Sequence, residues 1–246
     1  GVFVMGLFSF FSKKIVVAPG TACSSIAQAL FNAKEGETIT IKPGVYCENL
    51  EITKNVTLVG DTEKGGDLPI IQGGVMVKTP CRLEKIKIQK SPAHGIECSE
   101  SAEVKMRLCV VCECGKYGVC LRGLSKITAE KCLFNNDGEG EVLAFDCSSV
   151  LLKKCFLQHP NIFVKSCNLQ DSSRAEIKDC HLSDMVNGED VTLSIADSVI
   201  DDGINSRDAL KVKLKNVTVG GKNFQNTEEY LRHMHDEYDD GDDKRI

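Results

Sequence analysis

The chain has 246 residues, no tryptophan, 6% aromatic residues and thirteen cysteines, a length that allows one solenoid or at most two small domains with a sizeable core. Its formal net charge of −5 is carried by the last twenty residues, from Thr227 to Ile246, so the body is formally neutral. A neutral body excludes the basic stripe that nucleic-acid phosphates require, and no nucleic-acid partner is expected.

In chain order, residues 1–14 are an apolar leader, GVFVMGLFSFF, followed by Ser12, Lys13 and Lys14. It is too short to span a bilayer, and it lacks the basic start and cleavage site of a signal peptide. Three readings stand side by side: a strand or cap packed on the body, membrane or partner contact through Val2–Phe11, and a disordered leader. Residues 15–36 read as an amino-terminal cap. Ile15-Val16-Val17 is a short strand, and a serine-capped helix follows from Ser24 and Ser25 with Ile26, Ala29, Leu30 and Ala33 on its apolar face.

Residues 37–221 hold the organising pattern. After Thr38–Ile41 and a turn at Pro43-Gly44, four segments of 23 residues, beginning at Thr79, Ala102, Ser125 and Ser148, superimpose without a gap. Cys81, Val104, Ile127 and Val150 make one column, and Leu83, Met106, Ala129 and Leu152 a second. A third holds Ile86, Cys109, Cys132 and Cys155, and a fourth Ile88, Val111, Phe134 and Leu157. Repeats of this length mean a solenoid whose units stack to bury their apolar faces. Alternation within each unit means strand, and the one-residue phase shift between the second and third columns marks a bend. The expected fold is therefore all-β, a right-handed parallel β-helix of about eight coils. Cysteines stacked in an apolar column behave as small hydrophobes, which favours free thiols in a reducing, cytoplasmic setting over a secreted disulfide framework.

Residues 222–238 read as a carboxy-terminal capping helix. Asn226 and Glu229 resemble a capping box, and Tyr230, Met234 and Tyr238 recur every four residues. Residues 239–246 form an acidic tail, either solvated or docked on a basic partner.

Several clusters invite a chemical reading. Cys109, Cys112, Cys114 and Cys120 are close enough for a zinc knuckle, but Cys109 belongs to an inward column. His233, His235 and Asp236 resemble a metal set, yet histidines two apart diverge on a helix. Asp137, Glu139 and Glu141 offer alternating carboxylates to calcium, with a plain surface loop as the simpler reading. His94, His159 and His181 have no sequence-level partner. No metal or cofactor is expected.

The run from Ile15 to Asp61 resembles the entrance to pectinesterases and related pectin-lyase-like β-helices. Gly44-Val45-Tyr46-Cys47-Glu48 matches a G-x-Y-x-E element, and Leu58-Val59-Gly60-Asp61 the L-x-G-D that follows it. The resemblance implies the fold, and similar segments occur in non-enzymatic carbohydrate-binding and sugar-hydrolase type domains. The catalytic motifs of pectinesterases, polygalacturonases and pectate lyases are missing. Val142-Leu143-Ala144-Phe145-Asp146 is a faint echo of one, and Asp171-Ser172 of another.

The resulting expectation is a protein that is not an enzyme: a scaffold binding another protein through a basic solenoid face of Lys85, Lys87, Lys105, Arg107, Lys131, Lys153 and Lys154. The alternative is a divergent carbohydrate-binding or carbohydrate-active protein, with Asp146 and Asp171 as the carboxylates to test. Self-assembly through the solenoid ends is the third reading.

Overall fold

The structure is a computed structural model that describes residues 15–62, 66–159, 165–207 and 211–242. The leader, with its Val2–Phe11 contact, and the last four residues of the acidic tail lie outside the described residues.

Alternating sequences lay down three strands per coil, each pairing in parallel with its counterparts in the neighbouring coils. Face one contains, among others, Cys81–Glu84, Glu103–Arg107, Lys126–Glu130 and Ser149–Lys153. Face two contains Lys87–Gln89, Val110–Cys112, Leu133–Asn135 and Phe156–Gln158. Face three is an eight-stranded sheet that includes Ile96–Cys98, Tyr117–Leu121, Gly140–Ala144, Lys165–Leu169, Val186–Glu189 and Ile204–Arg207. Its eight strands correspond to eight coils, and the chain is a parallel β-helix as the repeat predicts.

The four sequence columns are the core. Val104 pairs in register with Cys81 and Ile127, and Ile127 with Val150, all buried. The phase shift is a single left-handed residue between faces one and two: Lys85, Leu108, Lys131 and Lys154 all have φ of 53–54°. Such a conformation costs a non-glycine residue about 1 kcal/mol or more. The stack offsets it by keeping each amide in the ladder, as when Lys131 N donates to Lys153 O at 2.9 Å.

Cys109, Cys132, Cys155 and Cys180 stack directly after this bend and are buried. Hydrogen bonding along the thiol ladder, together with burial, pushes Cys132 and Cys155 up to about 12. All thirteen cysteines are free.

Both ends are closed. The helix Ile26–Asn32 packs Ile26, Ala29 and Leu30 inward. At the other end the expected helix from residue 222 is corrected: Lys222–Asn226 is a strand, antiparallel to Lys211–Val219, and the helix spans Thr227–Asp242. Gly220 and Gly221, both with positive φ, reverse the chain so that a hairpin strand covers the carboxy-terminal edge of the larger sheet before the helix begins. Asn226 Oδ1 then accepts Glu229 N at 3.0 Å, while Glu229 Oε2 accepts Gln225 N at 2.7 Å. Among the described residues no helix is long and apolar enough to cross a membrane.

Candidate functional site

The basic residues singled out from the sequence are spread over a face, a corner and part of a second face. Lys105, Arg107 and Lys153 lie on face one, Lys85, Lys131 and Lys154 at the bend, and Lys87 on face two. Acids interleave with them. Arg107 stands in register between Glu84 and Glu130, with Lys153 beyond. It pairs with Glu84 at 2.8 Å, and Lys105 with Glu103 at 3.1 Å. The face is thus a mixed-charge surface that relieves its own like-charge contacts.

The four clustered cysteines do not converge. Cys109 and Cys114 join the core, whereas Cys120 belongs to a separate cluster on the outside of face three with Tyr117 and Leu143. Among the described residues no group of three or more His, Cys, Asp or Glu side chains is placed to hold a metal ion. Asp146 and Asp171 are left-handed turn residues, with φ of 56° and 53°. Asp146 Oδ2 accepts the backbone N–H of Gly123 at 2.8 Å, which is a turn-stabilising role.

The outer surface of face three is different in kind. One outward side chain per coil forms a row of Glu51, Met76, Glu97, Cys120, Leu143, Asn168, Asn187 and Asn205, of which Cys120 and Leu143 at its centre are buried. At roughly 4.8 Å per coil, its seven steps extend about 34 Å. The three asparagines form an amide ladder: Asn205 Nδ2 donates to Asn187 Oδ1 at 3.1 Å, and Asn187 Nδ2 to Asn168 Oδ1 at 2.9 Å. Asn168 Nδ2 donates in turn to Tyr117 Oη at 3.3 Å. The chain of amides ends on a phenol whose own hydrogen is left to donate.

His94 stacks with Tyr117, ring centroids 6.1 Å apart, and its Nδ1 accepts Tyr117 N at 3.4 Å. Burial holds His94 below its ordinary value, which keeps the imidazole neutral and able to accept. Burial also pushes the Tyr117 phenol up, so it stays protonated at neutral pH. Charged groups stand beside the row, with Arg122 Nε 3.4 Å from Glu97 Oε1 and its guanidinium over the Phe145 ring at 5.0 Å. The asparagine column was not read from the sequence, because its members stand 19 and 18 residues apart, off the regular 23-residue period. Nor was Tyr117, because it occurs in a single coil.

Directly behind this row lie Asp137 and Glu141. The expected surface loop is corrected, because both carboxyls are fully buried. They occupy the corner between faces two and three, where Cys114 and Gly118 stand one coil earlier.

The sequence model described as "right handed beta helix region" matches residues 44–226, most of the chain. The protein belongs to the right-handed β-helix family. Comparison with curated proteins finds no match. Among solved structures the β-helix is similar to pectin methylesterase from carrot, at 15% identity over 85% of this chain and 83% of that one, with a TM-score of 0.61. It is also similar to pectin methylesterase from Aspergillus niger, at 12% identity over 86% and 87%, with a TM-score of 0.57. Alginate lyase from Paenibacillus is a third, at 11% identity over 78% and 96%, with a TM-score of 0.51.

At such identities the likeness is one of fold. It nevertheless overturns the expectation that the β-helix is not an enzyme. That expectation rested on missing family motifs, and the solved structures similar to this solenoid include pectin methylesterases and an alginate lyase. A scaffold that carries such chemistry elsewhere cannot be denied it for lack of particular sequence strings.

Proposed function

We propose that this β-helix is a carbohydrate-active protein that holds an oligosaccharide along the outer row of face three. The observation that supports it most is the amide ladder of Asn205, Asn187 and Asn168 ending on the Tyr117 hydroxyl. Sugars present hydroxyl groups at close, regular intervals. A straight row of amides, a phenol donor and the Glu97–Arg122 pair answers them with alternating donors and acceptors. Arg122 also supplies a cation for a uronate carboxylate. The kinship in fold with pectin methylesterases and an alginate lyase makes uronate polymers the first substrates to try.

The test is titration of the purified chain with homogalacturonan, methyl-esterified homogalacturonan and alginate oligosaccharides, followed by assays for released methanol and for chain cleavage. Tyr117→Phe removes one donor and leaves the ring, so affinity is expected to fall about tenfold. Glu97→Gln is expected to remove turnover if Glu97 carries the chemistry. No binding to any of these glycans, or binding that Tyr117→Phe and Asn187→Ala leave unchanged, overturns the reading.

A further inference from the structure

Two carboxyls lie beneath this row, and the carbohydrate reading does not use them. Asp137 Oδ1 accepts the backbone N–H of Cys114 at 2.7 Å. Its Oδ2 and both oxygens of Glu141 are buried with no hydrogen-bond partner. Buried polar atoms are nearly always satisfied, and three orphans at one corner call for a reason. The corner is also built to hold them: a Cβ on Gly118 would stand only 2.3 Å from Asp137 Oδ2.

Among the described residues, the titratable groups that act on the pair are of one electrostatic kind. From the preceding coil come Cys112, Glu113, Cys114 and Tyr117, and from the following coils Cys167 and Asp184. No described lysine, arginine or histidine makes an ion pair or hydrogen bond with those orphan oxygens. Burial first, with the nearby carboxylates of Asp137 and Asp184, pushes Glu141 up to about 9. Burial pushes Asp137 up to about 6, partly opposed by hydrogen bonding from the backbone and the thiol of Cys114.

The corner is mechanically connected to the outer row. Glu141 follows Gly140, on which the Tyr117 ring packs so closely that a Cβ there would meet Tyr117 Cε1 at 2.9 Å. Asp137 grips the loop that leads from Cys114 into Tyr117.

We propose that the Asp137–Glu141 corner is a proton-operated latch: with Glu141 neutral it closes and seats Tyr117 on face three, and loss of that proton opens it. An ionised Glu141 has no partner inside the solenoid, and opening the corner is how it reaches water. The sign follows from linkage. A carboxyl whose folded value is raised gives stability that is complete below its unfolded value and is lost as pH rises to the folded one. For Glu141 that window runs from about 4.5 to about 9.

The test is amide hydrogen exchange on the full chain without any sugar, so its failure is separate from failure of the carbohydrate reading. After correction for intrinsic exchange, the opening constant at Val142 and Leu143 is expected to rise about tenfold per pH unit between about pH 6 and 8.5, with Leu58 on face one as the distant control. Glu141→Gln is expected to flatten that rise. A wild-type opening constant that does not change with pH overturns the latch, as does a rise shared by Leu58 or by Glu141→Gln. Full protection at about pH 8.5 restored by millimolar calcium would mean that the orphan oxygens hold a cation, and would also overturn it. Should Glu141→Gln fail to fold, the wild-type comparison of Val142 with Leu58 decides alone.

Discussion

Gly60 shows how little room a stacked coil leaves at one residue. It belongs to the Leu58-Val59-Gly60-Asp61 motif, and a Cβ there would lie 1.9 Å from Lys85 O, the carbonyl of a left-handed bend residue in the next coil, and 2.8 Å from the Pro69 ring. The motif glycine is therefore a packing requirement. Gly60→Ala is expected to cost about 3 kcal/mol in chemical denaturation, because a backbone carbonyl has to move. Gly203→Ala, where nothing lies within 4 Å, is the control and is expected to stay within about 1 kcal/mol of wild type. Equal effects would remove the steric explanation. The buried acids teach a related lesson. Alternation tells inside from outside along a strand, but the direction of a side chain at a corner depends on the turn. Asp137 and Glu141 were consequently read as surface carboxylates.

Among elements, the helix Ile26–Asn32 is instructive because seven residues are too few to be stable alone. The first coil caps it at both ends. Glu48 accepts Ile26 N at 3.0 Å, Ala27 N at 2.8 Å and the Ser25 hydroxyl at 2.8 Å. Lys54 Nζ donates to the carbonyls of Phe31 at 2.7 Å and Ala33 at 2.8 Å. A carboxylate at the positive end and an ammonium at the negative end both favour the helix dipole. The Gly44-Val45-Tyr46-Cys47-Glu48 element thereby acquires a structural meaning: Tyr46 Oη donates to Lys42 O at 2.8 Å to pin the turn, and Glu48 reaches the helix. Glu48→Gln keeps the shape but loses one acceptor oxygen and sets an amide NH2 against backbone donors. Its expected cost is about 1–3 kcal/mol, read from the denaturation midpoint. An unchanged midpoint would show that the helix is held by its apolar face alone.

At the scale of the molecule, stability is distributed through a stack in which each coil buries its neighbour's face. The cysteines report on that stack. Cys47 and Cys147 are exposed, Cys23 is half-buried and the other ten are buried. A thiol reagent at neutral pH is expected to label Cys47 and Cys147 at once and Cys23 more slowly, leaving the ten for the unfolding step. Prompt reaction of Cys109, Cys132, Cys155 or Cys180 would mean that the coils breathe far more than their packing implies. The mixed charge of face one belongs to this scale as well, since Arg107 acquires its two glutamate neighbours only through registration with coils 23 residues away on either side.

The solenoid, its coil number and its inward columns follow from the residue order alone, because a 23-residue period and strand alternation survive in any arrangement that stacks like on like. Cys109, Cys132 and Cys155 were visible as core for that reason, and so was the bend at Lys85, Lys131 and Lys154. What meets across coils and at corners comes from the folded arrangement. It set Asn168, Asn187 and Asn205 in one row ending on Tyr117, turned Asp137 and Glu141 inward, and placed acids among the lysines of face one. Those contacts join residues 18 to 51 positions apart in the chain, through turns whose lengths vary from coil to coil. A period read from the sequence fixes neighbours along a strand, whereas the path of the turns sets which side chains share a space.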